Sequence, residues 1–154
     1  MMKVFFDTNV VLEFLQKRAQ ADMVEKALDI ISSNNSTKHI SVGSFYTLTY
    51  LIERHIRKTT TLSSSDRIQE LRTILLGILD DFCITLHDSV TLRSGVENEK
   101  FDDLEDSYQA EVAIHSGCDV LLTINTKDFQ GMSSDARINI LTPSEFVQLY
   151  EGKD

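Results

Sequence analysis

Val4-Phe5-Phe6 is a run of three large apolar residues closed by Asp7, and a helical pattern follows at once in Val10, Val11, Phe14 and Leu15. A strand that is apolar on consecutive positions is covered on both faces, so this run predicts a central strand of a parallel sheet rather than an edge. Asp7 then stands at the carboxyl end of a buried strand, where open α/β sheets place their ligands.

The rest of the chain repeats the alternation of strand and helix. Thr8 or Asn9 can cap the first helix, and Lys17 and Arg18 close it. Ala21 to Ile31 reads as a second helix, His39–Val42 as a strand, and Phe45 to about Arg57 as a helix capped by Ser44. Ile68, Leu71, Ile74, Leu75 and Ile78 form the apolar stripe of a further helix capped by Ser65 or Asp66. Phe82–Leu86 is a strand and Ser89 to Asn98 a helix. Asp102 to Ser116 is a helix that stops at Gly117. Asp119–Thr123 is a strand, Asn125 to Phe129 a turn or short helix, and Ile138–Leu141 the last strand. Thr142-Pro143-Ser144-Glu145 opens a closing helix with proline near its first position. Five strands separated by helical segments predict one parallel α/β domain spanning residues 1–154, with helices on both faces of the sheet.

Composition narrows the function classes. A hydrophobic content of 42% fits a globular chain, and no apolar stretch is long enough to span a bilayer or to read as a secretory signal. Cys83 and Cys118 each lie in an apolar segment without metal-ligand spacing, so both are expected to be buried, reduced core residues of a cytoplasmic protein. The net charge of −9 argues against a broad positive surface for nucleic acid. It leaves open a local basic patch, or a nucleic-acid substrate reached through a divalent metal.

Acids fall in three places that such a fold can bring together: Asp7 after the first strand, Asp103, Glu105 and Asp106 at a helix start, and Asp128, with Asn125 beside it, after the strand at 120–122. Asp103 and Asp106 are three apart and share a helix face. Hard oxygen donors from several elements suit Mg²⁺ or Mn²⁺ rather than Zn²⁺, and such a metal activates water for displacement at phosphorus. Each acid also has a plainer role: Asp7 and Asp128 as turn residues, and the acids at 103–106 as partners of the helix dipole.

Phe6-Asp7-Thr8-Asn9-Val10, Asp103-Leu104-Glu105-Asp106 and Thr123-Ile124-Asn125-Thr126-Lys127-Asp128-Phe129, in this order and at this chain length, together resemble the PIN domain, in the branch grouped with VapC-type toxins. The resemblance implies a three-layer α/β/α sandwich around a mainly parallel five-stranded sheet. It also implies a Mg²⁺- or Mn²⁺-dependent ribonuclease. Asp7, Asp106 and Asp128 match family acids, with Asn125 and Asp103 beside them, and Thr8 and Asn9 would fix the backbone around Asp7. It implies, further, a homodimer and an antitoxin partner that blocks the acidic groove. One departure stands out. The family usually carries an acid early in the helix after the second strand, and the matching position here is Thr47; no acid occurs between Val42 and Ile52. Loss of one carboxylate weakens a site that holds hard cations by charge count.

Arg54, His55, Arg57 and Lys58, with Lys17 and Arg18, are candidates to touch RNA phosphates, against the plainer reading of a solvated helix end. Among these, Arg18 and Arg54 join Thr8 and Asn9 as the expected substrate contacts, with pairing to an acid near the site as the alternative for Arg18. His39, His87 and His115 show no zinc spacing, and Ser44 has no histidine–acid set for nucleophilic chemistry. Two rivals remain: a PIN scaffold that binds RNA or protein without turnover, and a receiver or haloacid-dehalogenase phosphatase fold. The last wants a second aspartate where Asn9 stands, and a receiver wants an acid pair at the end of the first strand.

Overall fold

The computed structural model describes residues 1–132 and 137–153. Five strands, β1 (Lys3–Phe6), β2 (Thr37–Ser41), β3 (Cys83–Thr85), β4 (Val120–Leu122) and β5 (Asn139–Leu141), form one sheet in the order β3-β2-β1-β4-β5. Every neighbouring pair is parallel. Seven helices join them: α1 (Thr8–Leu15), α2 (Ala21–Ser33), α3 (Val42–Thr59), α4 (Ser64–Asp81), α5 (Ser89–Glu97), α6 (Leu104–His115) and α7 (Pro143–Tyr150).

β1 is the middle strand, and Val4, Phe5 and Phe6 are wholly buried. Side chains alternate across a strand, and the core divides accordingly. Val4 and Phe6 pack with the apolar stripes of α1, α2, α3, α4 and α7 on one face. Phe5 packs with Ala110, Val112 and Ala113 of α6, and with Phe129, on the other. The result is the expected three-layer α/β/α sandwich.

Strand order reverses at β1: β2 and β3 lie on one side of it, β4 and β5 on the other. The crevice above β1 and β4 is therefore the topological switch point, where folds of this kind bind ligands. β1 delivers Asp7 there, and the Asp7 amide extends the ladder to the Leu122 carbonyl at 2.9 Å.

Helix starts differ from the sequence expectation by one to three residues. α1 begins at Thr8 with Asp7 in the N-cap position, and Asp7 makes no side-chain capping bond. Ser41, not Ser44, caps α3 by accepting from the Ser44 amide at 2.9 Å. Ser63, not Ser65 or Asp66, caps α4. α1 closes with Lys17 in the left-handed region at φ 50°; the Arg18 amide reaches back to the Glu13 carbonyl at 3.0 Å and the Lys17 amide to Phe14 at 3.3 Å. That bonding pattern usually takes glycine at the position Lys17 holds. Gly117, at φ 68°, fills the equivalent place after α6, as expected.

The cysteine expectation holds for Cys118, which is buried, and fails for Cys83, which is exposed. β3 is an edge strand, so the apolar segment around Cys83 is not covered on both sides.

Candidate active site

Asp7 is 4% exposed, and its carboxylate accepts the Thr123 hydroxyl at 3.0 Å across the switch point. Burial pushes its pKa up to about 6, opposed by the Thr123 hydroxyl and the Thr8 amide, and assisted by the nearby charge of Glu105. Thr123 also accepts from the Asn125 amide at 3.3 Å, so the turn after β4 is tied to the acid after β1.

A closed polar ring lies beside Asp7. Thr8 and Ser44 share a hydrogen bond at 2.6 Å, Gln109 Nε2 donates to Thr8 Oγ1 at 3.2 Å, and Ser44 donates to Gln109 Oε1 at 3.2 Å. The ring joins the first turns of α1 and α3 to the middle of α6, beside Asp7. It explains why Ser44 is released from capping α3: its hydroxyl is needed here. Thr8 is buried with its hydroxyl engaged inside the protein, so it positions Asp7 rather than facing a ligand.

α6 supplies the second group of acids. Asp103 is its N-cap, and Oδ1 accepts from the amides of Glu105 at 2.8 Å and Asp106 at 3.3 Å. Asp106 follows on the first turn, half-buried, and its carboxylate accepts no hydrogen bond among the described residues. Burial first, then the charges of Asp7, Asp103, Asp128 and Glu105, push its pKa up to about 7. α6 is held close to α5: Ser107 donates to the Gly95 carbonyl at 2.8 Å, and a Cβ on Gly95 would lie 2.6 Å from the Tyr108 ring. Asp128 sits in the 3₁₀ turn Thr126–Phe129, and its Oδ1 accepts from Asn125 Nδ2 at 3.1 Å. Asn125 in turn caps that turn through the Lys127 amide.

The sequence candidates Asp7, Asp106 and Asp128, with Asn125 and Asp103, thus arrive at one rim. α3 places the hydroxyl of Ser44 beside Thr8, and its acid, Glu53, pairs with Arg57 on the same helix. Glu105 lies close by, 3.4 Å from the Thr8 hydroxyl. Thr123, Ser44 and Gln109 escaped the sequence reading as site residues. Only the spacing of Gln109, three residues after Asp106 on the same helix face, offered a local signal. Asn9 is exposed, and among the described residues its side chain makes no hydrogen bond. It lines a cleft between α1 and α3 together with Arg18 and Arg54.

As the side chains stand, no three acids, histidines or cysteines among the described residues are close enough to enclose an ion. The donor chemistry nevertheless fits a hard divalent cation. Carboxylates crowd one rim, Asp106 accepts no hydrogen bond and joins no ion pair among the described residues, and its proton affinity is raised by burial and by its acidic neighbours. Asp7, Asp106 and Asp128 are the candidates to hold such an ion.

An acid rim above the switch point of an α/β/α sandwich is the arrangement of the PIN domain. The model of that domain matches residues 3–127, and the chain belongs to the PIN domain family. Among characterised proteins it is similar to Ribonuclease VapC1 of Aquifex aeolicus (strain VF5), 28% identical over 147 residues that cover 95% of this chain and 94% of that one. Two solved structures share the fold. The first is VapBC2 from Rickettsia felis bound to a DNA fragment from their promoter, with a TM-score of 0.66, 18% identity, and coverage of 92% of this chain and 98% of that one. The second is FitAB bound to an IR36 DNA fragment, with a TM-score of 0.65, 18% identity, and coverage of 91% and 94%. Among the described residues no helix is long and apolar enough to cross a membrane.

Proposed function

We propose that this protein is a Mg²⁺- or Mn²⁺-dependent endoribonuclease and the toxin of a toxin–antitoxin pair. The observation that carries the reading is Asp106: a half-buried carboxylate that accepts no hydrogen bond among the described residues and faces four other acids is a position that a bound cation would stabilise. The likeness to Ribonuclease VapC1 along nearly the whole chain supports RNA as the substrate.

Asp7, Asp106 and Asp128 hold the metal. When bound, the divalent cation supplies positive charge at the scissile phosphate and acidifies water for in-line attack. The chain's own residues do the positioning. Thr123 fixes the Asp7 carboxylate by donating to it, and Asn125 fixes Asp128 in the same way. Glu105 adds negative charge near Asp7. Asp103, committed to capping α6, contributes charge more than a ligand atom.

An apolar cleft of about 280 Å³ between α1, α2 and α4, lined by Phe6, Val11, Phe14, Leu28, Ile74 and Phe82, gives a protein partner such as an antitoxin a seat. Tyr46 and Tyr50 on α3, with Leu76 and Leu79 on α4, are exposed outside the packed α3–α4 hairpin, and supply apolar surface for a homodimer.

The test is cleavage of unstructured RNA by the purified chain with Mn²⁺, beside Asp7→Asn. Wild type should cut and the variant should lose more than the ~10–100-fold in activity that removing a mere outer-shell partner of a metal ligand costs. Absence of cleavage, or equal cleavage by both, refutes the reading. The absence of an acid at Thr47 favours one rival, a scaffold that binds RNA or protein without turnover. That rival predicts no Mn²⁺ binding by calorimetry at millimolar metal.

A further inference from the structure

The cleft between α1 and α3 is basic on a chain of net charge −9. About 320 Å³ in volume, it is lined by Asn9, Gln16 and Arg18 from α1 and the turn after it, and by Arg54, His55 and Lys58 from α3. The ion pairs among the described residues are Lys38–Asp81, Arg57–Glu53, Arg93–Glu97 and His115–Glu111. Arg18, Arg54 and Lys58 take part in none of them, although acids outnumber bases in this chain.

Arg57 turns to Glu53 on its own helix, while Arg54 and Lys58 line the cleft with Arg18 across from them. The helix dipole accounts for cations in the last turn of α3, whose carbonyl end is negative. It does not account for Arg18, which stands just before the start of α2, at a positive helix end. Arg18 is placed by the left-handed turn at Lys17 and is steadied by donating from Nη2 to Gln16 Oε1 at 2.6 Å.

The cleft opens beside the acid rim at Asn9. α1 and α3 start where the adjacent parallel strands β1 and β2 end, and the Thr8–Ser44 hydrogen bond joins their first turns. Asn9, two residues after Asp7, opens the cleft. Gln16 lies about 10 Å further along α1 at 1.5 Å per residue. That length spans about three stacked nucleotides at 3.4 Å each.

We propose that this cleft is a phosphate-binding subsite that holds the RNA backbone next to the scissile phosphate, with Arg18, Arg54 and Lys58 as its cations and Asn9 and Gln16 as neutral donors. The proposal rests on the nuclease reading and extends it. The acid rim repels a polyanion, and a row of cations leading up to it offsets that repulsion and fixes the direction of the strand.

The test is fluorescence anisotropy of a labelled single-stranded oligouridylate against salt, with wild type, Arg54→Gln/Lys58→Gln, Arg18→Gln, and Arg93→Gln as a paired-cation control on α5. Each neutralised phosphate contributes about −0.7 to the slope of log affinity against log salt for a single strand. The double variant should therefore lose about 1.4 from the slope and about tenfold in affinity, Arg18→Gln about half of that slope change, and Arg93→Gln nothing. Circular dichroism and retained Mn²⁺ binding show that each variant is folded. Wild-type binding with an unchanged slope in the double variant overturns this proposal alone, the more so if the variant instead loses an oligoglutamate peptide that wild type binds, which assigns the cleft to an acidic partner. No RNA binding by wild type overturns both this proposal and the nuclease reading.

Discussion

Asp7→Asn should make the metal-free protein more stable, and by an amount that depends on pH. Asp7 has an ordinary pKa of 3.8 and is pushed up to about 6 in the fold, chiefly by burial. Below pH 3.8 the carboxyl is protonated in both the folded and unfolded chains, and its contribution does not vary. Between 3.8 and about 6 the unfolded chain releases the proton while the folded chain keeps it, so stability falls as pH rises. Above about 6 the folded chain is ionised too, and the loss is complete. The shift of about 2 units corresponds to about 3 kcal/mol. Asparagine is neutral throughout and can still accept the Thr123 hydroxyl. The variant should therefore match wild type near pH 4 and exceed it by up to about 3 kcal/mol at pH 7.5 in EDTA. For a chain of this size that is about 6 to 12 °C in Tm. Asp106 adds a loss of the same sign that is smaller than its shift suggests, because it is half exposed and screened by solvent. Urea unfolding followed by circular dichroism at pH 4, 5, 6 and 7.5 measures the effect. Adding Mn²⁺ should then stabilise wild type and not the variant, closing the gap by mass action. A variant no more stable than wild type at pH 7.5, or a wild type that gains on the variant as pH rises, refutes the reasoning.

Lys17→Gly should stabilise the protein by about 0.5–1 kcal/mol, since glycine adopts the left-handed turn without the Cβ penalty and gives back only part of that gain as unfolded-chain freedom; thermal unfolding checks it. Thr123→Val removes a hydrogen bond that lowers the pKa of Asp7, so the carboxyl should titrate higher still, read by ¹³C NMR of labelled aspartate in EDTA.

The scaffold was legible because its signals are local. Three consecutive apolar residues mark β1 as central, Gly117 marks the end of α6, and Pro143 the start of α7. The acids were legible because they recur at two strand ends and one helix start of a single fold, although each alone has the ordinary role of a turn residue or a helix-dipole partner. What the sequence hid is what the crossovers assemble. The Thr8–Ser44 bond spans 36 residues, Gln109 reaches Thr8 across 101, and Thr123 reaches Asp7 across 116. These are neutral side chains with no local pattern, and only strand order brings them together. Strand order also decided the fate of Cys83: an apolar neighbourhood in sequence predicts burial, yet the edge position of β3 leaves it exposed. Helix caps slipped because serine runs such as Ser63-Ser64-Ser65 offer several equivalent starts, and packing selects one.

Electron paramagnetic resonance of Mn²⁺ added to the protein tests the central claim most directly, because it reports the ion itself rather than a consequence of it. Acids converging from β1, α6 and the turn after β4 should bind Mn²⁺ tightly enough to deplete the free-ion signal at millimolar protein. Asp106→Asn should restore that signal while the chain stays folded by circular dichroism. A free Mn²⁺ signal undiminished by wild type, or diminished equally by Asp106→Asn, would contradict a metal site on this rim.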